Sequence, residues 1–164
     1  TAIPTDDVDP EQIEKPRPWE MGELARFILF VGPCSSLFDF TTYFLMLYVF
    51  GCRDLSSPAA AAHSQSLFQT GWFVESLLTQ TLIVHVIRTR RFPFIGSRAS
   101  AYMITATFGV MAVGAWLPYS PLGPALGMVP LPAVYWLWIL GFLFTYVVLT
   151  HGVKTWFFNR FGDN

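Results

Sequence analysis

The feature that most constrains this chain is a series of long apolar stretches, two of which carry a lone carboxylate near their middle. Asp39 sits in the first and Glu75 in the second. About 20 apolar residues suffice to cross the roughly 30 Å hydrocarbon core of a bilayer as a helix. Such stretches fall at about 24–50, 67–87, 101–117 and 134–150. An ionisable side chain at that depth costs about 2.5–3.5 kcal/mol on insertion scales, so it faces a partner or a wet cavity. The expected fold is all-α, a polytopic membrane bundle of four transmembrane helices spread over residues 23–164 and preceded by a connector over residues 1–22.

Composition and charge support this reading. Of 164 residues, 53% are hydrophobic and 13% charged, against about 25% charged in soluble domains. The formal net charge of −1 does not speak for or against nucleic acid, and no nucleic-acid partner is expected. The placement of the basic residues is more telling. Lys15, Arg17 and Arg26 precede the first span; Arg88, Arg90, Arg91 and Arg98 lie between the second and third; Lys154 and Arg160 follow the fourth. The two other connections hold only Arg53, next to Asp54. By the positive-inside rule both termini and the middle loop are cytoplasmic. The first 20 residues are rich in proline and charge and lack a short apolar core, so they read as a connector, not a signal peptide. Without an initiating Met, the chain reads as a piece of a longer one. Cys34 and Cys52, on one expected helix, would be roughly 27 Å apart at 1.5 Å per residue, beyond disulfide reach.

Helical periodicity then sorts the polar residues. On the first span, Gly32, Ser35, Ser36, Thr42, Tyr43 and Met46 fall within about 60° of Asp39. Such a small and polar stripe is the expected packing face of a membrane helix. Pro33 should bend this helix. On the second span Glu75, Ser76, Thr79 and Gln80 cover an arc of about 140°, with His85 opposite most of it. Residues 51–66 read as an outer loop. Thr105 and Gly109 form a small-xxx-small pair for close contact of the third helix. A connector with five prolines leads to Tyr135, Trp136 and Trp138, an aromatic belt at the outer interface, matched by Trp156 and Phe157 at the inner one.

The motif inventory excludes much. There is no nucleotide-binding loop, zinc-type Cys/His spacing or Ser/His/Asp set, so no catalytic residue and no cofactor is assigned within this segment. His63, His85 and His151 read as interfacial or packing residues. Arg88, Arg90, Arg91 and Arg98 are candidates for anionic lipid headgroups, at about 1 kcal/mol per basic residue near the surface; a topology signal alone would also explain them. For Glu75, and more remotely Asp39, two readings stand side by side. Either carboxyl could line an ion path, its hydroxyl and amide neighbours Ser76, Thr79 and Gln80 completing an oxygen-rich site for a hard cation. Equally, it could lock two helices together through hydrogen bonds.

Three ordered runs carry a family likeness. WEMGELARFILFVGPCSSLFDFTTYFLM, SLFQTGWFVESLLTQTLIVHVIRTRRFPFIGSRAS and PYSPLGPALGMVPLPAVYWLWI closely resemble the carboxy-terminal membrane region of bacterial magnesium-translocating P-type ATPases. The resemblance covers almost the whole chain and implies the seventh to tenth membrane helices of such a pump. It implies a full-length protein in the bacterial inner membrane that hydrolyses ATP through an aspartyl phosphate and moves Mg2+ into the cytoplasm. Mg2+ and ATP would belong to the full-length protein. The partners of this segment would be the remaining helices and cytoplasmic domains of the same pump, and membrane lipid. Alone, lacking the phosphorylation and nucleotide-binding domains, it should be inactive and serve as a support for the transport helices. In related calcium pumps an acid on the eighth helix reaches the cation, which makes Glu75 the candidate carried over. The equivalent domain of another cation-transporting P-type ATPase is the nearest alternative; a stand-alone four-helix scaffold protein is the other.

Overall fold

The computed structural model describes residues 21–88 and 99–161, and among them every regular element is helical. Helix α1 runs Met21–Phe44 and continues as one wide turn, Leu45–Val49; α2 is Pro58–Arg88, α3 Ala101–Trp116 and α4 Ala133–Phe161. Short tight turns at Leu117–Tyr119 and Pro124–Leu126 connect α3 to α4.

The boundaries follow from local chemistry. Pro33 lies inside α1 without ending it. Gly51, at φ 67°, closes the end of the helix in the left-handed region that costs glycine nothing. Residues 51–66 were expected to form a loop, yet α2 begins at Pro58. Ser57 accepts the Ala60 N–H through its hydroxyl at 3.1 Å, Pro58 occupies the first turn, and four alanines follow. Hydropathy does not register this stretch because its helix-forming residues are small and its remainder polar. Ser100 caps α3 in the same way, accepting the Met103 N–H at 3.3 Å.

Helix α2 is the hub: α1, α3 and α4 all pack on it, and α1 packs on α4 as well. Helix α3 leans mainly on α2. Met46, Val74, Leu78, Leu131, Tyr135 and Ile139 form the central core. By length and composition, 25–49, 101–119 and 133–160 can each cross a membrane. Helix α2 has 31 residues, about 46 Å of rise, but Ser, Thr, Gln, Glu and His dilute its apolar character. Its central place explains how it carries them, since much of its circumference meets protein.

Several expectations need correction. The close contact of α3 is not made by Thr105 and Gly109, which are exposed; a Cβ on Gly109 would meet nothing within 4 Å. Gly114 makes it instead, where a Cβ would lie 1.9 Å from Leu77 Cδ2. Gly71 similarly receives Met46, whose Sδ would be 2.7 Å from an added Cβ. On α1 the buried stripe is Val31, Cys34, Phe38, Thr42, Leu45 and Met46, rotated by roughly 100° from the stripe centred on Asp39; Gly32, Ser36 and Tyr43 are exposed. Helix α4 runs on past residue 150, and Lys154, expected beyond the span, is part of the packing. Phe157 is buried against Phe27 and Phe30, with ring centroids 5.6 and 5.9 Å away. Tyr135 is buried too, not part of an interfacial belt, whereas Trp138 and Trp156 are exposed as expected.

Candidate functional site

The polar residues singled out from the sequence come together only in part. Asp39, half-buried, lies at the edge between α1 and α2, where it accepts a hydrogen bond from Ser76 Oγ to its Oδ1 at 3.3 Å. Glu75 is 1% exposed; neither carboxyl oxygen makes a hydrogen bond of good geometry, although the Thr79 and Ser76 hydroxyls and the Asp39 carboxyl lie close beside it. It lies close enough to Asp39 for the two carboxyl groups to interact electrostatically. Thr79, buried beside it, spends its hydroxyl on its own helix, donating to the Glu75 carbonyl at 3.0 Å and the Ser76 carbonyl at 3.3 Å. Gln80 faces outward and is not part of this layer. A buried carboxyl without well-formed hydrogen bonds is costly, so Glu75 is the least settled group in the bundle.

Helix α4 adds two hydroxyls that the sequence reading placed elsewhere or passed over. Tyr146, fully buried, shares a hydrogen bond of 2.9 Å with Ser35. Tyr135 donates to the Gly71 carbonyl at 2.6 Å. The signal was available: Tyr135, Ile139, Tyr146, Thr150, Lys154 and Phe157 are buried at steps of three, four and seven along α4, one helical face. Ser35, Asp39, Glu75, Ser76 and Tyr146 therefore form a polar layer drawn from three helices.

At the other end of α2, Lys154 is 1% exposed and donates from Nζ to the Val86 carbonyl at 2.6 Å. Sequence placed this lysine among the cytoplasmic charges; in the fold it occupies the C-terminal end of α2, where a cation meets the orphan carbonyls. His85 is buried nearby in sequence, and Arg88 is half-buried at the last turn. Arg90, Arg91 and Arg98, the other lipid candidates, lie outside the described residues. In the turn between α1 and α2 Cys52 is a free thiol, pushed up by burial, while Ser56 hydrogen bonds hold the Asp54 carboxyl below its ordinary value. Arg53 lies 4.4 Å over the Tyr48 ring.

Chemically, the layer offers oxygen donors only. Mg2+ is commonly held by one or two carboxylates with its remaining positions filled by water or substrate oxygens. Glu75, Asp39 and Ser76 match that donor class, but among the described residues no group of three or more His, Cys, Asp or Glu side chains could hold a metal ion. Among the described residues, Glu75, Asp39 and Ser76 thus supply part of an oxygen coordination shell.

The fold and this layer define a class: an all-helical membrane bundle with a polar seam among its described residues. The chain belongs to the family described as "Cation transporting ATPase, C-terminus", which matches residues 1–156. It is 48% identical over 161 residues to "Magnesium-transporting ATPase, P-type 1" of Escherichia coli (strain K12), covering 98% of this chain and 17% of that protein. A protein of the same name from Salmonella typhimurium (strain LT2) is 43% identical over 162 residues, covering 99% of this chain and 17% of the relative. The chain therefore spans 17% of the length of the relatives it matches.

Proposed function

We propose that this chain is the carboxy-terminal membrane domain of an ATP-driven magnesium importer of the P-type ATPase family, where it supports the cation-transport helices. The observation that carries this is identity of 43–48% along almost the whole chain to proteins named as magnesium-transporting ATPases. Residues 23–164 form the domain, and α2 crosses the bilayer as its second span beside α1, α3 and α4. ATP hydrolysis belongs to the rest of the full-length protein, as do its Mg2+ and ATP, and this segment alone is inactive. It resides in the bacterial inner membrane with both termini inside, an orientation supported by its basic residues. Cys52 is then reachable from outside, and a cysteine introduced at position 90 only from inside.

Glu75, with Asp39 behind it, is the group in this segment that reaches the cation; Ser76 and Thr79 support it. What favours this is a buried carboxyl without well-formed hydrogen bonds beside a second one in a setting of oxygen donors. In the full-length pump, Glu75→Gln lowers Mg2+-stimulated ATP hydrolysis or shifts its Mg2+ dependence. Unchanged activity and Mg2+ dependence with reduced thermal stability confine Glu75 to a structural role. Arg88, Arg90, Arg91 and Arg98 contact anionic headgroups at the inner surface. Replacing Arg88, Arg90 and Arg91 by Gln weakens stimulation by anionic lipid, and unaltered lipid dependence leaves those residues a topological role only.

A further inference from the structure

Glu75 makes no well-formed hydrogen bond through its carboxyl, so the place of that group is set by the turn of α2 that carries it. That turn is held from three sides. From α1, Met46 lies over Gly71, where an added Cβ would come within 2.7 Å of its Sδ. From the connector ahead of α4, the Val129 N–H donates to Thr70 Oγ1 at 3.1 Å, and Thr70 donates in turn to the Ser66 carbonyl at 2.7 Å. From α4, the Tyr135 hydroxyl donates to the Gly71 carbonyl at 2.6 Å. In the α-helical pattern that same carbonyl receives the N–H of Glu75, four residues on. Tyr135 is thus one shared acceptor away from the backbone of Glu75, and it lies close enough to interact with the Glu75 charge.

Packing does not account for this hydroxyl. Tyr135 is fully buried in the cluster with Met46, Val74 and Leu131, and its ring meets those of Phe50 and Trp136 edge to face, at centroid distances of 5.7 and 6.0 Å. A phenylalanine would fill that place without carrying a polar atom into an apolar core. The Gly71 carbonyl already has the donor that its helix supplies. What the bond adds is a fixed relation between α4 and the turn from which Glu75 projects. A carboxylate that meets a cation has to be held within about 0.5 Å of its productive place by the hydrogen bonds behind it. The frame on the α4 side is stiff: Trp136 Nε1 donates to Tyr119 Oη at 2.8 Å, and Tyr119 Oη donates to the Leu131 carbonyl at 2.8 Å.

We infer that Tyr135 is a positioning residue for Glu75: its hydroxyl, seated on the Gly71 carbonyl, locks the turn of α2 that presents the Glu75 carboxyl and ties that turn to the α3–α4 connector. Tyr135 touches no cation itself. It sets the apparent affinity for the cation through the place it gives Glu75, and it leaves turnover to the rest of the protein. This rests on Glu75 reaching the cation, as proposed above.

The test is the Mg2+ dependence of ATP hydrolysis, at fixed ATP, by the full-length protein carrying Tyr135→Phe, with Glu75→Gln and Lys154→Met for comparison. Loss of one neutral hydrogen bond corresponds to about a fivefold change in an equilibrium, so Tyr135→Phe should raise the half-saturating Mg2+ concentration about fivefold and leave the maximal rate within about twofold. Thr70→Val withdraws the acceptor from Val129 and reaches the same turn from the connector. It should shift the Mg2+ dependence in the same direction, and it stands in for Tyr135→Phe if that variant does not fold. Lys154→Met removes a second bond from α4 to an α2 carbonyl, at Val86, and should lower the thermal midpoint without moving the Mg2+ dependence. An unchanged half-saturating concentration in Tyr135→Phe while Glu75→Gln shifts it overturns the inference and leaves the proposed function standing. A shift in Tyr135→Phe with none in Glu75→Gln shows that Tyr135 does not act through Glu75, and it removes the reading of Glu75 as well. Equal shifts in Tyr135→Phe and Lys154→Met would reduce the effect to general stability and overturn the inference too.

Discussion

The contact between Gly114 and Leu77 sets how closely α3 approaches the hub helix, and it gives a prediction that can be worked from distances. An alanine at 114 places Cβ 1.9 Å from Leu77 Cδ2 and 3.3 Å from its Cγ. Carbon pairs sit best at roughly 3.5–4.0 Å, so the overlap with Cδ2 is about 2 Å and one partner must move. The end of Leu77 can rotate, at about 0.5–1.5 kcal/mol if it leaves its rotamer well, or α3 can shift outward. Overpacking of this kind costs about 1–3 kcal/mol. Alanine recovers up to about 1 kcal/mol in helix propensity, so Gly114→Ala should destabilise by about 1 kcal/mol net. Leu77→Ala alone should also destabilise, through lost contacts, toward the lower end of about 2–5 kcal/mol because Leu77 is only half-buried. In the double variant the new Cβ occupies the space that Leu77 Cδ2 vacated. The pair should then be more stable than the sum of the single changes by about 1 kcal/mol. Gly109→Ala, where no atom lies within 4 Å, is the control and should cost nothing. The assay is the midpoint of thermal loss of monodispersity for the detergent-solubilised full-length protein. Additivity of the two single changes, within the roughly 0.3–0.5 kcal/mol seen for independent sites, would refute this packing account. So would equal damage from Gly109→Ala.

Two further outcomes follow from the ends of the bundle. Lys154→Met keeps the aliphatic stem but removes the donor to the Val86 carbonyl; a hydrogen bond from a charged group is worth about 1.5–3 kcal/mol, so the thermal midpoint should fall, and an unchanged midpoint would show that the carbonyl is satisfied without Lys154. Burial raises the Cys52 thiol, so a smaller thiolate fraction is present at neutral pH than for a free cysteine. Alkylation by an impermeant maleimide added from outside should therefore be slow at pH 7 and accelerate as pH rises past about 8.5; rapid labelling at pH 7 contradicts the burial, and labelling from inside only contradicts the orientation.

What was legible in the sequence, and what was not, has one physical source. Helix number and the apolar stretches behind α1 and α3 follow from hydropathy, because a lipid-crossing helix must be long and apolar; that Asp39 needs company also follows, but not that Ser76 provides it. The rotation of α1 does not follow. In water, polar residues mark the outside of a bundle and apolar residues the inside. In lipid both sides are apolar, and Phe38 against Phe142 and Tyr146 in the interior looks in sequence like Phe40 or Phe44 on the surface. A polar stripe in such a helix therefore does not point to the nearest core; it points to protein of any kind, including protein that lies beyond the segment in hand. The packing face of α1 centred on Asp39 is met only in part: Thr42 and Met46 are buried and Asp39 bonds Ser76, but Val31, Phe38 and Leu45 also face the bundle while Gly32 and Ser36 are exposed. Helix α4 misled in the opposite way. Lys154 falls past the expected end of the fourth span, yet it is buried on the same face as Thr150 and Tyr146, because a lysine can end its stem on a helix C-terminus and keep its charge solvated by carbonyls. The two errors together separate two kinds of polar group: those buried in contacts within these four helices, such as Tyr146 and Lys154, and those left exposed along the α1–α2 edge, such as Ser36 and Gln80.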